Sequence, residues 1–407
     1  MRSLNPDLVL QRVPNVRLHI DSSNDIHLFL EDTAYDLGPH GLAVLDSFYQ
    51  PTSLSEALEK LGETVSGTQD WIALTNTIVQ LHEAGILQDE SQRTQKPSVD
   101  KSGYGAAGIH VAMLNDRART SGFLSGIEET VGAGDVVLDI GTGTGVLAMA
   151  AARAGAKHVY AIEASGIEKS ARAVFEANGL ADRITLLQGW STQLSLPERA
   201  DVLISEIIGN EPLGEHVLET TLDARKRLLE AEARLVPSKV RIFGLPVTIP
   251  RTERIKRLVT IETLQNWRSW YGMDFEPLAE MHHDMFPEFY IRPQEASHWR
   301  TLSEPVMLAE VDLRKVERLL IDNSTIITAN ISGQLDGLLV YFELDLGPHT
   351  RFSTHPAQVN RDLSWRSPVW ALVDPLAVQA GEQLEVTYQY RAARGTTHRV
   401  AIGRAQS

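Results

Sequence analysis

The chain contains no cysteine among its 407 residues, which excludes disulfides, thiolate metal sites and cysteine nucleophiles. It has no apolar run approaching the ~20 residues of a membrane span. The opening Met1-Arg-Ser-Leu-Asn-Pro6 lacks the apolar core of a signal peptide, so a cytoplasmic protein is expected. Positive charge is in deficit: 38 Lys and Arg stand against 53 Asp and Glu, a net charge of −15. This balance argues against nucleic acid and anionic membrane as partners and suits a cationic substrate. A soluble acidic enzyme would carry the same balance, so charge alone selects no substrate. Internal repeats and low-complexity segments are absent too. What remains is a chain rich in aliphatics, with room for two or three domains, each with its own core.

Composition and periodicity divide it. Residues 1–90 read as a small winged-helix-like α+β unit. Val16-Arg-Leu-His-Ile20 and Ile26-His-Leu-Phe-Leu30 are predicted as paired strands joined by the turn-forming Asp21–Asp25. Leu42, Leu45 and Phe48 then recur at helical spacing, and Ser53-Leu-Ser-Glu56 is a capping box opening a second helix through Leu61. A third helix carries Trp71, Leu74, Ile78 and Leu81 and stops at Gly85. These apolar stripes are expected in a core. Residues 91–103 are polar and aperiodic, a linker.

From 104 to 246 helices alternate with near-continuous aliphatic strands, Val136–Ile140, Val159–Ile162, Ile184–Leu187 and Val202–Ile204. That is the pattern of an α/β, Rossmann-like domain, a parallel sheet covered on both faces. From 247 to 407 the segments Ser324–Thr328, Leu338–Leu344 and Leu384–Tyr390 predict an antiparallel β-barrel domain for substrate and dimerisation, interrupted by an aromatic insert around 267–299.

Asp139-Ile-Gly141-Thr-Gly143-Thr-Gly145 ends the first parallel strand and opens a helix. Glycines let the backbone turn tightly beside a ligand, and the helix N-terminus presents free N–H groups. Such a turn fits a dinucleotide as well as S-adenosylmethionine, as does Glu163 at the end of the second strand, placed to accept ribose hydroxyls. Asp139, ahead of the glycines, favours adenosylmethionine, whose sulfonium and amino group want a carboxylate. No hydride-transfer constellation follows, so a nicotinamide-dependent oxidoreductase is the weaker reading. No metal is expected.

Glu206 and Glu215 follow the strand Asp201–Ser205 and bracket a turn with Gly209, Pro212 and Gly214. Two carboxylates on one loop at a strand's C-terminal end suit a guanidinium, whose planar fork of N–H donors pairs bidentately with carboxylates. Acidic loop residues are more often simply solvated.

Together these motifs resemble the protein arginine methyltransferases, over about Tyr104 to Arg404. Asp139–Ala156 looks like their first cofactor motif and Ile162-Glu163-Ala-Ser165 like their ribose-binding motif. Tyr104–Leu114 with Arg119-Thr120 resembles the helix that closes over the cofactor. The resemblance implies that Arg119 holds the methionine carboxylate and that His110 and Met113 line the cofactor. It further implies that Tyr104 reaches the glutamate loop and that Ser191 or Thr192 stands at the adenine. Glu206 and Glu215 keep the family's nine-residue spacing and would bind and polarise the arginine guanidinium as the catalytic pair. With Glu211 between them, the loop is most similar to the monomethylating branch. Trp270–Phe275 resembles a segment of the family's β-domain insert. Trp365 and Asp374–Glu382 look like its substrate loop and the following strand. The implied assembly is a homodimer.

The chain departs from the family pattern in three places. Leu363-Ser364-Trp365 stands for Thr-His-Trp, and the register does not bring His355 to the missing imidazole's place. Asp100 and Lys101 replace a Tyr-Phe pair, and Ser191 or Thr192 an acidic residue.

The first ninety residues resemble instead the small leader-peptide-binding domains of modified-peptide biosynthesis, including the coenzyme-PQQ peptide chaperone. The likeness rests on Arg12-Val-Pro-Asn-Val-Arg-Leu18, the strand pair and Leu42–Phe48. It implies capture of a leader peptide by strand addition; an accessory dimerisation role is the plainer alternative. The expected function is methylation of an arginine guanidinium, in a peptide or natural-product pathway. Free arginine as substrate and a non-catalytic leader-peptide scaffold are the alternatives.

Overall fold

In the computed structural model the described residues are 5–13, 16–20, 26–30, 33–38, 40–62, 65, 67–89, 107–282, 288–392 and 397–405. The chain forms two compact units, Met1–Val99 and Asp100–Ser407. Among the described residues no helix is long and apolar enough to cross a membrane.

The first unit contains strands β1 (Val9–Arg12), β2 (Val16–Ile20), β3 (Ile26–Leu30) and β4 (Thr33–Leu37), then helix α1 (Gly41–Ser47). Strand β5 (Thr52–Ser53), helices α2 (Leu54–Gly62) and α3 (Thr68–Glu83), and strand β6 (Leu87–Gln88) complete it. The expected β2–β3 pairing is present, Leu18 opposite Leu28, and β4 extends it to an antiparallel meander. The turn at 21–25 lies outside the described residues. Ser53 and Glu56 form the capping box: the Ser53 N–H donates to Glu56 Oε2 at 3.1 Å and the Glu56 N–H to Ser53 Oγ at 3.3 Å.

Leu10, Leu28, Val44, Leu45, Phe48, Leu74, Ile78 and Leu81 fill the core, each contributing ~1.5–3 kcal/mol by leaving water. Two expected core residues do not. Gly41, Val44, Leu45 and Phe48 make the buried face of α1, and Leu42 points about 100° away and is exposed. Trp71 lies in the first turn of α3, its ring over Gly62 and its outer edge exposed.

The second unit opens with α4 (Ala107–Asn115) and α5 (Arg117–Thr130). Then β7 (Val136–Ile140), α6 (Val146–Ala154), β8 (His158–Glu163), α7 (Glu168–Ala177), β9 (Ile184–Gln188), β10 (Ala200–Ser205), α8 (Val217–Arg227) and β11 (Leu229–Val236) alternate. The strands form a parallel sheet in the order β11-β10-β7-β8-β9. The chain therefore runs outward from β7 through β8 and β9, then returns to build β10 and β11 on the other side. The β7–β10 boundary is the switch point, and the crevice beyond the strands' carboxyl ends is where such sheets take ligands.

The remainder is antiparallel. Strand β12 (Lys239–Thr248) is followed by helices α9 (Arg251–Arg257), α10 (Ile261–Tyr271) and α11 (Pro277–His282). Strand β13 (Glu288–Ile291), α12 (Pro293–Ala296), β14 (Arg300–Thr301), β15 (Val306–Asp312) and β16 (Leu320–Thr328) come next. Strands β17 (Gly333–Asp345), β18 (Arg351–Ser353), β19 (Ser367–Val378), β20 (Gln383–Arg391) and β21 (Thr397–Arg404) complete the fold. They pair as β13-β19-β17-β12-β14, with β15 on β12 and β18 on β17, and as β16-β20-β21. The helical part of the insert thus starts at Arg251, while Glu288–Ile291 pairs with β19 inside the larger sheet. One apolar core runs from Val137 and Leu203 of the parallel sheet to Leu338, Phe342 and Tyr388 of the antiparallel sheets. That continuity holds the two layers together around the crevice.

Candidate active site

Ile140 and Ser205 are register partners at the ends of β7 and β10, so the glycine turn and Glu206 leave the sheet side by side. The backbone N–H groups of Gly141 and Thr142 both donate to the Ile162 carbonyl at 3.0 Å. Gly145 has φ +86°, and a Cβ there would overlap the Phe175 ring, so only glycine closes this turn. The ring of buried His110 lies over Gly143.

Asp139 is fully buried. Its Oδ2 accepts from the Thr142 hydroxyl at 2.6 Å, while Oδ1 has no hydrogen-bond partner among the described residues. Burial pushes Asp139 up to about 7, the Thr142 bond opposing and the nearby Glu163 charge adding to the rise. Glu163 accepts from the Gly143 N–H and the Ser165 N–H, both at 2.8 Å. A carboxylate has further lone pairs for ribose hydroxyls. These residues fit S-adenosylmethionine: a cationic group would satisfy Asp139 Oδ1, and the glycines leave room for backbone approach.

Asp116 caps α5, accepting from the Arg119 N–H at 3.1 Å. This fixes the first helical turn, from which the largely buried Arg119 side chain reaches an ion pair with Glu206. Arg119 also lies 3.6 Å from Met113 Sδ and 5.1 Å from the Trp365 ring centre, a cation–π distance.

The antiparallel layer holds the loop that carries the glutamates. The Trp365 indole N–H donates to the Ile208 carbonyl at 2.7 Å. The Tyr390 hydroxyl donates to the Leu213 carbonyl at 2.8 Å and the Arg366 N–H to Asn210 Oδ1 at 2.8 Å. Glu215 folds back against Gly209, where a Cβ would come within 2.9 Å of its Oε1. His216 follows with φ +60° as the N-cap of α8. A non-glycine residue held in this left-handed conformation marks a spot where the surroundings over-determine the backbone. Glu211 is half-buried, with both carboxylate oxygens out of reach of solvent. Desolvation raises it to about 8, the Glu288 charge adding to the rise and the Trp370 indole opposing it.

Residues 116–238 match the family described as ribosomal protein L11 methyltransferase, and 255–402 the arginine methyltransferase oligomerization subdomain. Protein arginine N-methyltransferase 1 of Schizosaccharomyces pombe is 32% identical over 305 residues, which cover 74% of this chain and 86% of that protein. The chain belongs to the protein arginine N-methyltransferase family. An arginine N(omega)-methyltransferase of Streptomyces achromogenes is 34% identical over 283 residues, 68% of this chain and 74% of that protein. Among solved structures, the Trypanosoma brucei PRMT1 enzyme–prozyme heterotetramer with AdoHcy matches with TM-score 0.63 and 25% identity. The match covers 74% of this chain and 99% of that one.

Against the family's pattern, Asp139, Gly141, Gly143, Gly145 and Glu163 gather at one crevice with His110, Met113, Arg119, Glu206 and Trp365. Tyr104 lies outside the described residues. Ser191 is buried at the start of a short 3-10 turn, its carbonyl accepting from Arg227 at 2.8 Å. His355 packs edge-on to Tyr341 at 4.8 Å, whereas Trp365 packs on Phe342 at 5.1 Å. Successive residues of a strand face opposite sides, so His355 is on the far face from the site. Sequence reasoning missed Asp116, Asn210 and Tyr390. The N-cap preference for Asp could have flagged Asp116; Asn210 and Tyr390 carry no local signal.

Proposed function

We propose that the protein transfers a methyl group from S-adenosylmethionine to a guanidinium nitrogen of arginine, with Glu206 and Glu215 gripping the guanidinium. The observation that carries this reading is that Glu206 is poised for such a group: in this structure its carboxylate holds the Arg119 guanidinium. His110, Met113, Arg119, Asp139, the three glycines, Glu163 and Ser191 would hold S-adenosylmethionine, whose sulfonium supplies an electrophilic methyl group when bound. The glutamates draw the substrate's positive charge toward the N–H groups they bind, leaving a localised lone pair on the remaining nitrogen. Their work is positioning and electrostatics. The proton released from nitrogen passes to a carboxylate of the pair, because Ser364 offers no imidazole. Trp365 and Tyr104 complete the substrate side, and the wording of the loop around Glu211 supports single methylation.

The favoured substrate is an arginine in a peptide of a natural-product pathway in the cytoplasm, its leader captured on an outer strand of the N-terminal meander. The resemblance of that unit to leader-peptide-binding domains supports this. The likeness to the Streptomyces enzyme favours a second reading, free arginine. Homodimerisation is supported by the match to the oligomerization subdomain and by exposed Ile261, Trp270, Tyr271 and Met273 on and after α10.

Turnover of Glu206→Gln and Glu215→Gln tests the reading, with S-adenosylhomocysteine binding measured alongside by calorimetry. Both variants lose turnover by about a hundred-fold or more and keep their nucleoside affinity. Loss of that affinity in both would make the loop structural.

A further inference from the structure

Asp116 is fully buried, and its two oxygens serve different parts of the molecule. Oδ1 caps α5 through the Arg119 N–H. Oδ2 accepts two hydrogen bonds from one residue 248 positions away, from the Ser364 N–H at 2.8 Å and the Ser364 hydroxyl at 3.0 Å. The two residues that follow, Trp365 and Arg366, donate to Ile208 and Asn210 of the glutamate loop at 2.7 and 2.8 Å. One short stretch of chain thus grips the start of the helix that carries Arg119 and the loop that carries Glu206.

We propose that the Asp116–Ser364 pair is a positioning joint that registers Arg119 against Glu206, keeping the cofactor site and the guanidinium clamp in one geometry. The inference rests on the reading of Glu206 and Glu215 as that clamp. A buried carboxylate that loses one of its donors must relax toward other partners. The nearest partner already bound is the Arg119 amide, so relaxation displaces the first turn of α5. A shift of an ångström in a positioning group is enough to cost about a hundred-fold in rate. The hydroxyl meets Asp116 as a compact neutral donor on the residue beside Trp365, where the family pattern carries an imidazole.

The test compares wild type, Ser364→Ala and Ser364→Thr in the full-length enzyme. S-adenosylhomocysteine affinity is measured by calorimetry, kcat and KM by turnover, and amide exchange at Arg119 and Thr120 in the ligand-free protein. Ser364→Ala weakens S-adenosylhomocysteine binding about ten-fold, speeds exchange at both amides and lowers kcat more than it raises the KM for arginine. Ser364→Thr, which keeps the hydroxyl, restores all three. A folded Ser364→Ala with wild-type affinity and exchange overturns the joint, as does a threonine variant no better than alanine. Should the alanine variant not fold, Ser364→Cys, similar in shape with a weaker donor, carries the same comparison. Absence of arginine turnover in the wild type would reject the clamp reading alone, since binding and exchange still decide the joint.

Discussion

The Arg119 guanidinium is ion-paired with the Glu206 carboxylate and stands 5.1 Å from the centre of the Trp365 ring. Arg119, proposed to hold the cofactor's carboxylate, is thus in direct contact with a residue proposed to bind the substrate. Its fork can serve two carboxylates at once, which a lysine ammonium cannot do in a fixed plane. Arg119→Lys is expected to weaken S-adenosylhomocysteine binding by about ten- to a hundred-fold and to lower kcat, with little change in thermal unfolding. Calorimetry beside a thermal melt checks this; unchanged affinity would place Arg119 outside the cofactor site.

Asp139 should make cofactor binding depend on pH. Burial holds it near 7, so below that value it is largely protonated and cannot offer charge to a cationic ligand. Binding of the cationic amino acid group then requires loss of the proton. Affinity for S-adenosylhomocysteine should rise from pH 6 to pH 8, by at most about ten-fold per unit, and level off above the native pKa. Asp139→Asn should weaken binding and flatten the profile. A flat wild-type profile over that range contradicts this role.

Glu211 gives a stability signature of its own. Its ordinary value of 4.5 is raised to about 8 by burial, so the folded protein holds a proton that the unfolded chain releases between those values. The folded state binds more protons there, and its contribution to stability declines as pH rises from about 4.5 to 8, by up to ~1.4 kcal/mol per unit. Glu211→Gln should remove that part of the slope, and the variant should gain on wild type as pH rises. Urea unfolding of both proteins at pH 5, 6.5 and 8 measures the difference; parallel curves would mean that Glu211 is ionised in the folded protein.

How much of this was legible in the sequence depends on the range of the interaction. The strands Val136–Ile140 and Val202–Ile204, the glycine turn and Glu163 announce themselves through local aliphatic runs and φ requirements. The Ser53–Glu56 capping box spans one helical turn and was readable in the same way. Strand Leu229–Val236 was not, because Glu230, Glu232 and Arg234 occupy exposed positions of an edge strand and break the aliphatic run. Nor could the sequence pair Asp116 with Ser364 or Tyr390 with Leu213, 248 and 177 residues apart. Such contacts follow from topology and have no period. The surroundings of the Glu211 carboxylate were hidden for the same reason: the groups that act on it, Glu288, Trp370 and Tyr388, come from β13, β19 and β20.

The end of α10 and the turn after it bear on assembly. Trp270, Tyr271 and Met273 are each about 60% exposed, and Ile261 is 78% exposed. Apolar groups clustered at the end of a helix and in the turn after it, as Trp270, Tyr271 and Met273 are, are expected to be covered by a partner. Light scattering should give twice the chain mass for wild type and a single chain for a Trp270→Glu/Tyr271→Glu double variant. A monomeric wild type would reject the dimer.

Glu206 and Glu215 are proposed to present an arginine guanidinium to a methyl donor. The most direct test is tandem mass spectrometry of reactions containing S-adenosylmethionine with either free arginine or an arginine-bearing peptide. A gain of about 14 mass units per methyl is expected, located by fragmentation on a guanidinium nitrogen and absent with Glu206→Gln. Methylation of a carboxylate, a hydroxyl or an imidazole, with arginine unchanged, would contradict it.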